Sequence, residues 1–452
     1  MAVKRAVVFS GGGAKGGYQI GAWKALTELN FRPDIVTGTS VGALNGALMA
    51  LGKYDEALSI WENMSMDSVF TQFVERSNEE NLKHDSYYLR LAKEIVTKGG
   101  ADYSPLQDLV KNLMDEKKLR ESDIEFGLVT TAFPKIKPVE LFIEDIPEGM
   151  AADYVLASAA AFPLLKSYKI KDAKFVDGGY SDNMPIKMAL SKGAEEIVAV
   201  NVGKINVSRL GNTDAVIHYI HNKRPYNDGR IGSIIYFNRE LSVNNIRQGY
   251  LDTLKSFGRF DGYYYTFEKF ERYKVTPFEK YCATKFDNIF PVLPGMTKIE
   301  RFGRDSVLNL LRSYDDRPFE FNSNVMYCAE IAAEVLSVNP REIYTIKSIS
   351  MEIFRETEKL LRDTQTEQKL ESLKKNLDRG VSLELLKTLV DVKDIRLLTL
   401  CAIHLLNKEN LTYHEKRRLW LIACLSAESF CAALFSCAVI DAQEKKELFY
   451  ME

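Results

Sequence analysis

The first sixty residues alternate short apolar runs with glycine-rich turns. Residues 6–10 form a β-branched and aromatic run that predicts a buried strand, and residues 17–30 carry apolar side chains at helical spacing. Residues 34–39 predict a second strand, and residues 41–51 predict an apolar, buried helix. This order of strand, loop, helix, strand, turn and helix is typical of an α/β fold with parallel strands.

The pattern changes after about residue 273. Strand-like alternation fades there, and long charged amphipathic stretches at 351–376 and 382–392 predict helices. We therefore expect an α/β domain over residues 1–273 and a separate helical domain of unknown role over residues 274–452. Within the first domain, further strands are predicted at 124–132, 139–144, 174–176, 196–202 and 233–237, and helices at 54–64, 105–115, 150–160 and 243–257.

One apolar stretch, residues 419–440, is long enough to span a bilayer. Glu428 lies near its centre, where a charge costs roughly 2.5–3.5 kcal/mol in lipid, and three serines dilute it further. We therefore favour a buried helix of the helical domain over a membrane segment.

Composition narrows the function classes. Among 452 residues, 60 are basic and 62 acidic, so no global positive field draws the chain to nucleic acid. The six cysteines are dispersed in the carboxyl-terminal part with no C-x-x-C pair, which argues against a zinc site. No signal-peptide core is present, so we predict a cytoplasmic protein, and nothing in the sequence requires a metal or cofactor.

The second turn, from Gly38 to Gly42, reads G-x-S-x-G between a predicted strand and a predicted helix. This context is the one that a nucleophile elbow requires, because side chains at Gly38 and Gly42 would block the sharp turn. Ser40 would lie at the positive end of the following helix, which favours its alkoxide. The alternative is a turn of small residues that packs a helix on the sheet.

The opening loop, residues 10–16, also has two interpretations. Gly11, Gly13 and Gly16 fit the G-x-G-x-x-G spacing of a dinucleotide site, but the second strand ends in Ser40 instead of an acid that would bind ribose. Gly16 after Lys15 excludes a P-loop. The other role is an oxyanion hole, in which the N–H groups of Gly11, Gly12 and Gly13 converge on a developing negative oxygen.

A nucleophilic serine needs a base, and two candidates follow it in the chain. His218 and His221 have the order of a hydrolase triad but lie in a polar, poorly patterned stretch. Asp177 ends a predicted strand and precedes Gly178 and Gly179, which form a tight turn with an open approach. An aspartate before two glycines is also a common turn former.

Four blocks in this order resemble the bacterial patatin-like phospholipases: residues 10–16, 38–42, 157–163, and 177–179 with Asn183 and Pro185 behind them. The family usually has Arg where this chain has Lys15. The resemblance implies a three-layer α/β/α core with a mainly parallel sheet and no cofactor. It also implies a phospholipase A or lysophospholipase activity, in which a Ser40–Asp177 dyad cleaves lipid esters through an acyl-enzyme.

The helical domain lies outside the resemblance. Its extent suggests an alternative: a regulated, membrane-acting effector whose carboxyl-terminal helices bind a partner, or self-associate, and so switch hydrolysis on. The aromatic tract at 260–273 suits either peripheral contact with a membrane or packing within the protein, and we favour packing. A nucleotide-binding module that uses the opening loop is the weakest alternative.

Overall fold

The computed structural model describes residues 3–71, 97, 99–203, 213–223, 232–269, 276–291, 296–314, 325–378 and 394–445. The chain divides into two compact units, Met1–Gly258 and Arg259–Glu452. Each unit has hydrophobic core clusters of its own.

The first unit is built on a mixed, mainly parallel sheet with strand order β5-β6-β3-β2-β1-β7-β8. Strands β3, β2, β1, β7 and β8 run parallel, and β4 and β6 pair antiparallel with β3. The strands are β1 Arg5–Phe9, β2 Ile35–Thr39, β3 Glu125–Phe133, β4 Lys137–Phe142, β5 Tyr168–Ile170, β6 Ala173–Asp177, β7 Glu196–Asn201 and β8 Val216–His221.

Helices cover both faces of this sheet. Val7 and Phe9 of β1 pack into one hydrophobic cluster and Ala6 and Val8 into another, because alternate side chains of a strand point to opposite faces. The predicted three-layer α/β/α core is thus confirmed. Its helices are α1 Gly17–Glu28, α2 Val41–Ala50, α3 Tyr54–Glu62, α4 Ser104–Leu113, α5 Glu116–Arg120, α6 Ala151–Ser158, α7 Ile186–Ser191, α8 Gly232–Ile235 and α9 Arg239–Ser256.

Two predictions in this unit are wrong. Residues 233–237 were expected as a strand, but Gly232–Ile235 is a helical turn, since a short apolar run does not distinguish helix from strand by periodicity. The stretch that holds His218 and His221 is not a poorly patterned loop. It is strand β8, paired in register with β7 from Glu196↔Val216 onward.

The second unit is helical, as predicted. A short parallel pair, β9 Thr266–Phe267 with β10 Ile343–Tyr344, is its described sheet. The predicted helix at 351–376 is two helices that meet at Asp363, and the predicted helix at 382–392 lies outside the described residues. The helices are α10 Thr276–Ile289, α11 Lys298–Arg312, α12 Val325–Val335, α13 Ile346–Arg362, α14 Thr364–Asp378, α15 Ile395–Leu406, α16 Tyr413–Leu425 and α17 Ala427–Glu444.

The apolar stretch at 419–440 is buried within this unit. It belongs to two helices, α16 and α17, separated by Ser426, whose hydroxyl caps α17 by accepting the Ser429 N–H at 3.0 Å. Phe430 and Leu434 of α17 are fully buried in the core of the unit. None of the helices in the described part of the chain is both long and apolar enough to cross a membrane.

The aromatic tract that begins at residue 260 belongs to the second unit. The backbone N–H groups of Tyr263, Tyr264 and Tyr265 donate to the buried carboxylate of Glu330, at 2.7–3.0 Å, and Tyr265 and Phe267 are buried beside it. These bonds tie the tract to α12. The division between the units therefore falls at Gly258, before the 273/274 boundary that the sequence predicts.

Candidate active site

Ser40 lies on a strained turn between β2 and α2. Its backbone has φ 56° and ψ −126°, a conformation that a residue with a side chain rarely adopts. A Cβ on Gly38 would lie 2.2 Å from the Gly42 carbonyl oxygen, and one on Gly42 would lie 2.3 Å from the Phe9 carbonyl oxygen. Both glycines of the G-x-S-x-G motif are therefore required by close backbone contacts.

Ser158, at the end of α6, holds this turn in place. The Ser40 N–H donates to the Ser158 hydroxyl oxygen at 2.8 Å, and that hydroxyl donates to the Val129 carbonyl at 2.6 Å. The sequence marks Ser158 only as part of the 157–163 block, without a role. The structure shows that it ties the backbone of Ser40 to strand β3.

Asp177 ends β6 and meets Ser40 across the end of β3. The strand register pairs Thr39 with Val129 and Thr130 with Asp177, so the two side chains leave neighbouring positions at one edge of the sheet. The Ser40 side chain interacts with the Asp177 carboxylate and favours its charged form. Both residues are 8% exposed, which leaves each side chain a narrow opening to solvent.

The environment of Asp177 makes it a stronger base than a carboxylate in water. Burial raises the pKa of Asp177 from 3.8 to about 6, although its interaction with the Ser40 side chain and its hydrogen bond from the Gly179 N–H oppose this rise. The Gly179 N–H donates to the carboxylate at 2.7 Å. A Cβ on Gly178 would lie 2.1 Å from the Val129 carbonyl oxygen, so this position is restricted to glycine.

The glycine loop, residues 10–16, lies beside Ser40. A Cβ on Gly11 would lie 3.1 Å from Ser40 Cβ. However, the Gly11 N–H donates to the Asn183 carbonyl at 3.1 Å, and the Asn183 amide donates back to the Gly11 carbonyl at 3.3 Å. The Gly11 N–H is therefore already bonded, contrary to its predicted role as an oxyanion donor.

Gly12 and Gly13 differ from Gly11. Among the described residues, none accepts a hydrogen bond from the N–H of either glycine. Gly13 has φ +56° and opens a one-turn 3-10 helix, Gly13–Lys15. Lys15 is half-buried at the end of this turn, and its N–H donates to the Gly12 carbonyl at 3.3 Å.

The histidine candidates lie farther from Ser40 in the sheet. Strand β8 is separated from β2 by β1 and β7, which at 4.7–4.9 Å per strand corresponds to roughly 14 Å. His218 contacts Glu196 at 3.4 Å and stacks on Phe257, and burial lowers the pKa of His221. The structure thus brings Asp177, and not these histidines, to Ser40. Within the described ranges, no cluster of three His, Cys, Asp or Glu side chains could hold a metal ion.

A strained serine turn beside a buried aspartate, on a mainly parallel sheet, defines an α/β protein with a candidate hydrolytic site. Comparison with known families gives one match: residues 7–190 are similar to the patatin-like phospholipase family.

Several relatives are similar to this domain. A lysophospholipase (nte1) of Aspergillus terreus is 29% identical over 203 residues, which cover 44% of this chain and 12% of that protein. A cUMP-AMP-activated phospholipase of Escherichia coli is 27% identical over 229 residues, which cover 44% of this chain and 64% of that protein. The match therefore spans less than two thirds of either relative.

Among solved structures, VipD from Legionella pneumophila aligns with 83% of this chain and 87% of its own, at 15% identity and a TM-score of 0.37.

Proposed function

We propose that this protein hydrolyses carboxylic esters of phospholipids or lysophospholipids through a Ser40–Asp177 dyad. The observation that carries the proposal is a strained, buried Ser40 whose side chain interacts with a buried Asp177 of pKa about 6. The patatin-like domain and its relatives named as phospholipases and lysophospholipases support it.

In the first half-reaction, Ser40 Oγ attacks the ester carbonyl and its proton passes to Asp177. The carbonyl oxygen becomes an oxyanion, for which we propose the Gly12 and Gly13 N–H groups as donors. Asp177 then protonates the departing alcohol, which leaves an acyl-enzyme on Ser40. In the second half-reaction Asp177 takes a proton from water, the resulting nucleophile attacks the acyl carbonyl, and Ser40 regains its proton as the fatty acid leaves.

The test is fatty-acid release from phospholipid vesicles and from lysophospholipid micelles by the wild type, Ser40→Ala and Asp177→Asn. Asp172→Asn, an exposed aspartate in the β5–β6 turn, is the matched control. We expect release by the wild type and the control, and loss of release in both site variants. Wild-type turnover in Ser40→Ala and Asp177→Asn would refute the dyad. Recovery of the wild type with the sedimented vesicles would support the peripheral membrane contact that we propose for a cytoplasmic lipase.

A second candidate function is regulated hydrolysis, in which the helical unit controls the site. Two observations favour it: the second unit has its own buried core outside the family match, and the Escherichia coli relative is named as activated by cUMP-AMP. Ester turnover by the full chain would be compared with turnover by residues 1–258 and with turnover after addition of cyclic UMP–AMP. Equal specific activity in all three would argue against such control.

A further inference from the structure

An apolar cleft lies in the first unit between α2, α4 and the carboxyl-terminal end of α3. The space between their side chains is open to solvent and amounts to about 420 Å³ with that open part included. Such a lining favours a hydrocarbon chain, because burial of apolar surface is worth about 25 cal/mol per Å². The side chains that line it include Leu44, Leu48, Ile60, Met64, Leu109 and Leu113.

The cleft is aligned with the candidate nucleophile along one helix. Leu44 and Leu48 lie four positions apart on α2 and share one face of the helix, and Ser40 is the residue that precedes the helix. A rise of 1.5 Å per residue places the two leucines about 6 and 12 Å along α2 from Ser40. The chain of an ester bound at Ser40 meets these leucines where it runs along α2.

Two polar side chains in the cleft wall lead to the glycine loop by hydrogen bonds. The Trp61 indole N–H donates to the Asn45 side-chain oxygen at 2.9 Å, and the Asn45 amide donates to the Gln19 side-chain oxygen at 2.8 Å. The Gln19 amide then donates to the Ser10 carbonyl at 2.7 Å. Gln19 is fully buried, and Asn45 and Trp61 are nearly so, so that loss of a partner would leave a buried polar group unsatisfied.

The same wall also contacts the other end of the loop. The Asn45 amide donates to the Gly16 carbonyl at 3.1 Å. A Cβ on Gly16 would lie 2.3 Å from the Trp61 ring and 2.5 Å from the Val41 side chain, so this glycine lets the ring pack against the backbone. Ser10 and Gly16, the two ends of the loop, are therefore both held from the cleft wall.

We propose that this cleft holds the acyl chain of the ester, and that Trp61 and Asn45 in its wall, together with Gln19 behind them, fix the glycine loop. Gln19 and Asn45 are then positioning residues, and Leu109 is a residue that sets chain-length preference. The inference rests on the proposed ester hydrolysis at Ser40.

Binding is tested without catalysis, in a Ser40→Ala background. A dibrominated stearic acid is titrated while tryptophan fluorescence is recorded. We expect saturable quenching that disappears in Trp61→Phe and persists in Trp23→Phe, the matched control on α1. Absence of quenching, or equal quenching in both variants, would overturn the cleft as the chain site whether or not the protein is an esterase.

Chain-length preference is tested with p-nitrophenyl butyrate and p-nitrophenyl laurate. Leu109→Trp fills part of the cleft from a half-buried position, so the ratio of laurate to butyrate kcat/KM should fall about tenfold. An unchanged ratio would overturn the assignment.

The positioning role is tested with Gln19→Met and Trp61→Phe on the same esters. Active sites are counted by the stoichiometry of labelling with a fluorophosphonate. The kcat per active site should fall about tenfold in Gln19→Met, with butyrate KM unchanged. A merely structural role would lower the number of active sites and leave the rate of each unchanged, and that result would refute positioning. If the wild type cleaves no ester, the positioning claim fails together with the proposed function. The quenching experiment still tests whether the cleft binds an acyl chain.

Discussion

The two glycine turns at the edge of the sheet are held in different ways. The Ser40 turn is fixed mainly by close backbone contacts, with Gly38 against Gly42 and Gly42 against Phe9, and by one side chain, that of Ser158. The glycine loop has one backbone bond to Asn183 and depends more on side chains from elsewhere, among them those of Asn183 and Gln19. A new Cβ that clashes with backbone atoms cannot be accommodated by movement of a side chain. Loss of one side-chain hydrogen bond, in contrast, leaves the other contacts of a loop in place. Changes that reach the Ser40 turn should therefore cost more than changes that reach the glycine loop.

The largest expected effect belongs to Asp177→Asn. An amide cannot accept the Ser40 proton, so kcat/KM should fall by about 10³–10⁴. Stopped-time assays of fatty-acid release measure this loss, with Asp172→Asn as the control. In the wild type, kcat/KM should rise about tenfold per pH unit up to pH about 6 and then level off, as Asp177 loses its proton. A profile without this break would contradict Asp177 as the base.

The same variant should be more stable than the wild type at neutral pH. Between pH about 4 and 6 the folded chain keeps a proton on Asp177 that the unfolded chain has released, so stability falls as the pH rises through this window. Above it the penalty is about 3 kcal/mol, because one pKa unit is worth 1.36 kcal/mol. Urea unfolding of Asp177→Asn should show a gain of up to that size at pH 8 that shrinks toward pH 4. A constant difference across this range would contradict the shifted pKa.

The next effect concerns the Ser40 turn itself. Gly42→Ala places a methyl group 2.3 Å from the Phe9 carbonyl oxygen, and no side chain is there to move aside. We expect a loss of about 1–3 kcal/mol or more in the free energy of unfolding, with loss of ester turnover in the protein that still folds.

Gly46→Ala, on the same helix, is the matched control for this turn. The new methyl group meets the Val36 side chain at 3.1 Å, and alanine has a higher helix propensity than glycine. The free energy of unfolding of this variant should therefore stay within about 1 kcal/mol of that of the wild type. Equal melting temperatures for the two variants would contradict the backbone contact that restricts residue 42 to glycine.

A smaller effect is expected for Asn183→Ala, which frees one end of the glycine loop. It removes the amide bond to the Gly11 carbonyl but keeps the backbone bond from the Gly11 N–H. We expect kcat to fall about tenfold, at a cost of about 1 kcal/mol in stability. Asn63→Ala removes a similar bond at the exposed end of α3 and should leave kcat unchanged. A loss of turnover in Asn183→Ala as large as that in Asp177→Asn would contradict the expected ranking.

The smallest effect is expected from changing His218 and His221 together to Ala. Neither residue lies on a strand next to β2, so kcat/KM for ester cleavage should be nearly unchanged. Removal of the His218 contact with Glu196 and of its stacking on Phe257 should cost about 1 kcal/mol in thermal unfolding. Loss of turnover in a folded double variant would indicate a triad.

Local patterns predict most of the first unit because its strands and helices are short and buried. The Ser40 turn is readable as well, since its glycines answer a local steric demand. The role of Gly11 cannot be predicted from local sequence, because its N–H is bonded to Asn183, which lies 172 positions away. Polar residues among apolar neighbours, Gln19 at the start of α1 and Asn45 within the apolar α2, were the available signal for the buried network. The run at 233–237 carries no such signal and fits helix and strand equally.

The central claim is that Ser40 carries the acyl group during turnover. The direct measurement is mass spectrometry of the wild-type protein, quenched in acid during hydrolysis of p-nitrophenyl laurate and digested to peptides. We predict a lauroyl group on the peptide that contains Ser40, present during turnover and absent once the ester is consumed. Hydrolysis that proceeds with no acyl group on Ser40, or with one on another residue, would contradict the account.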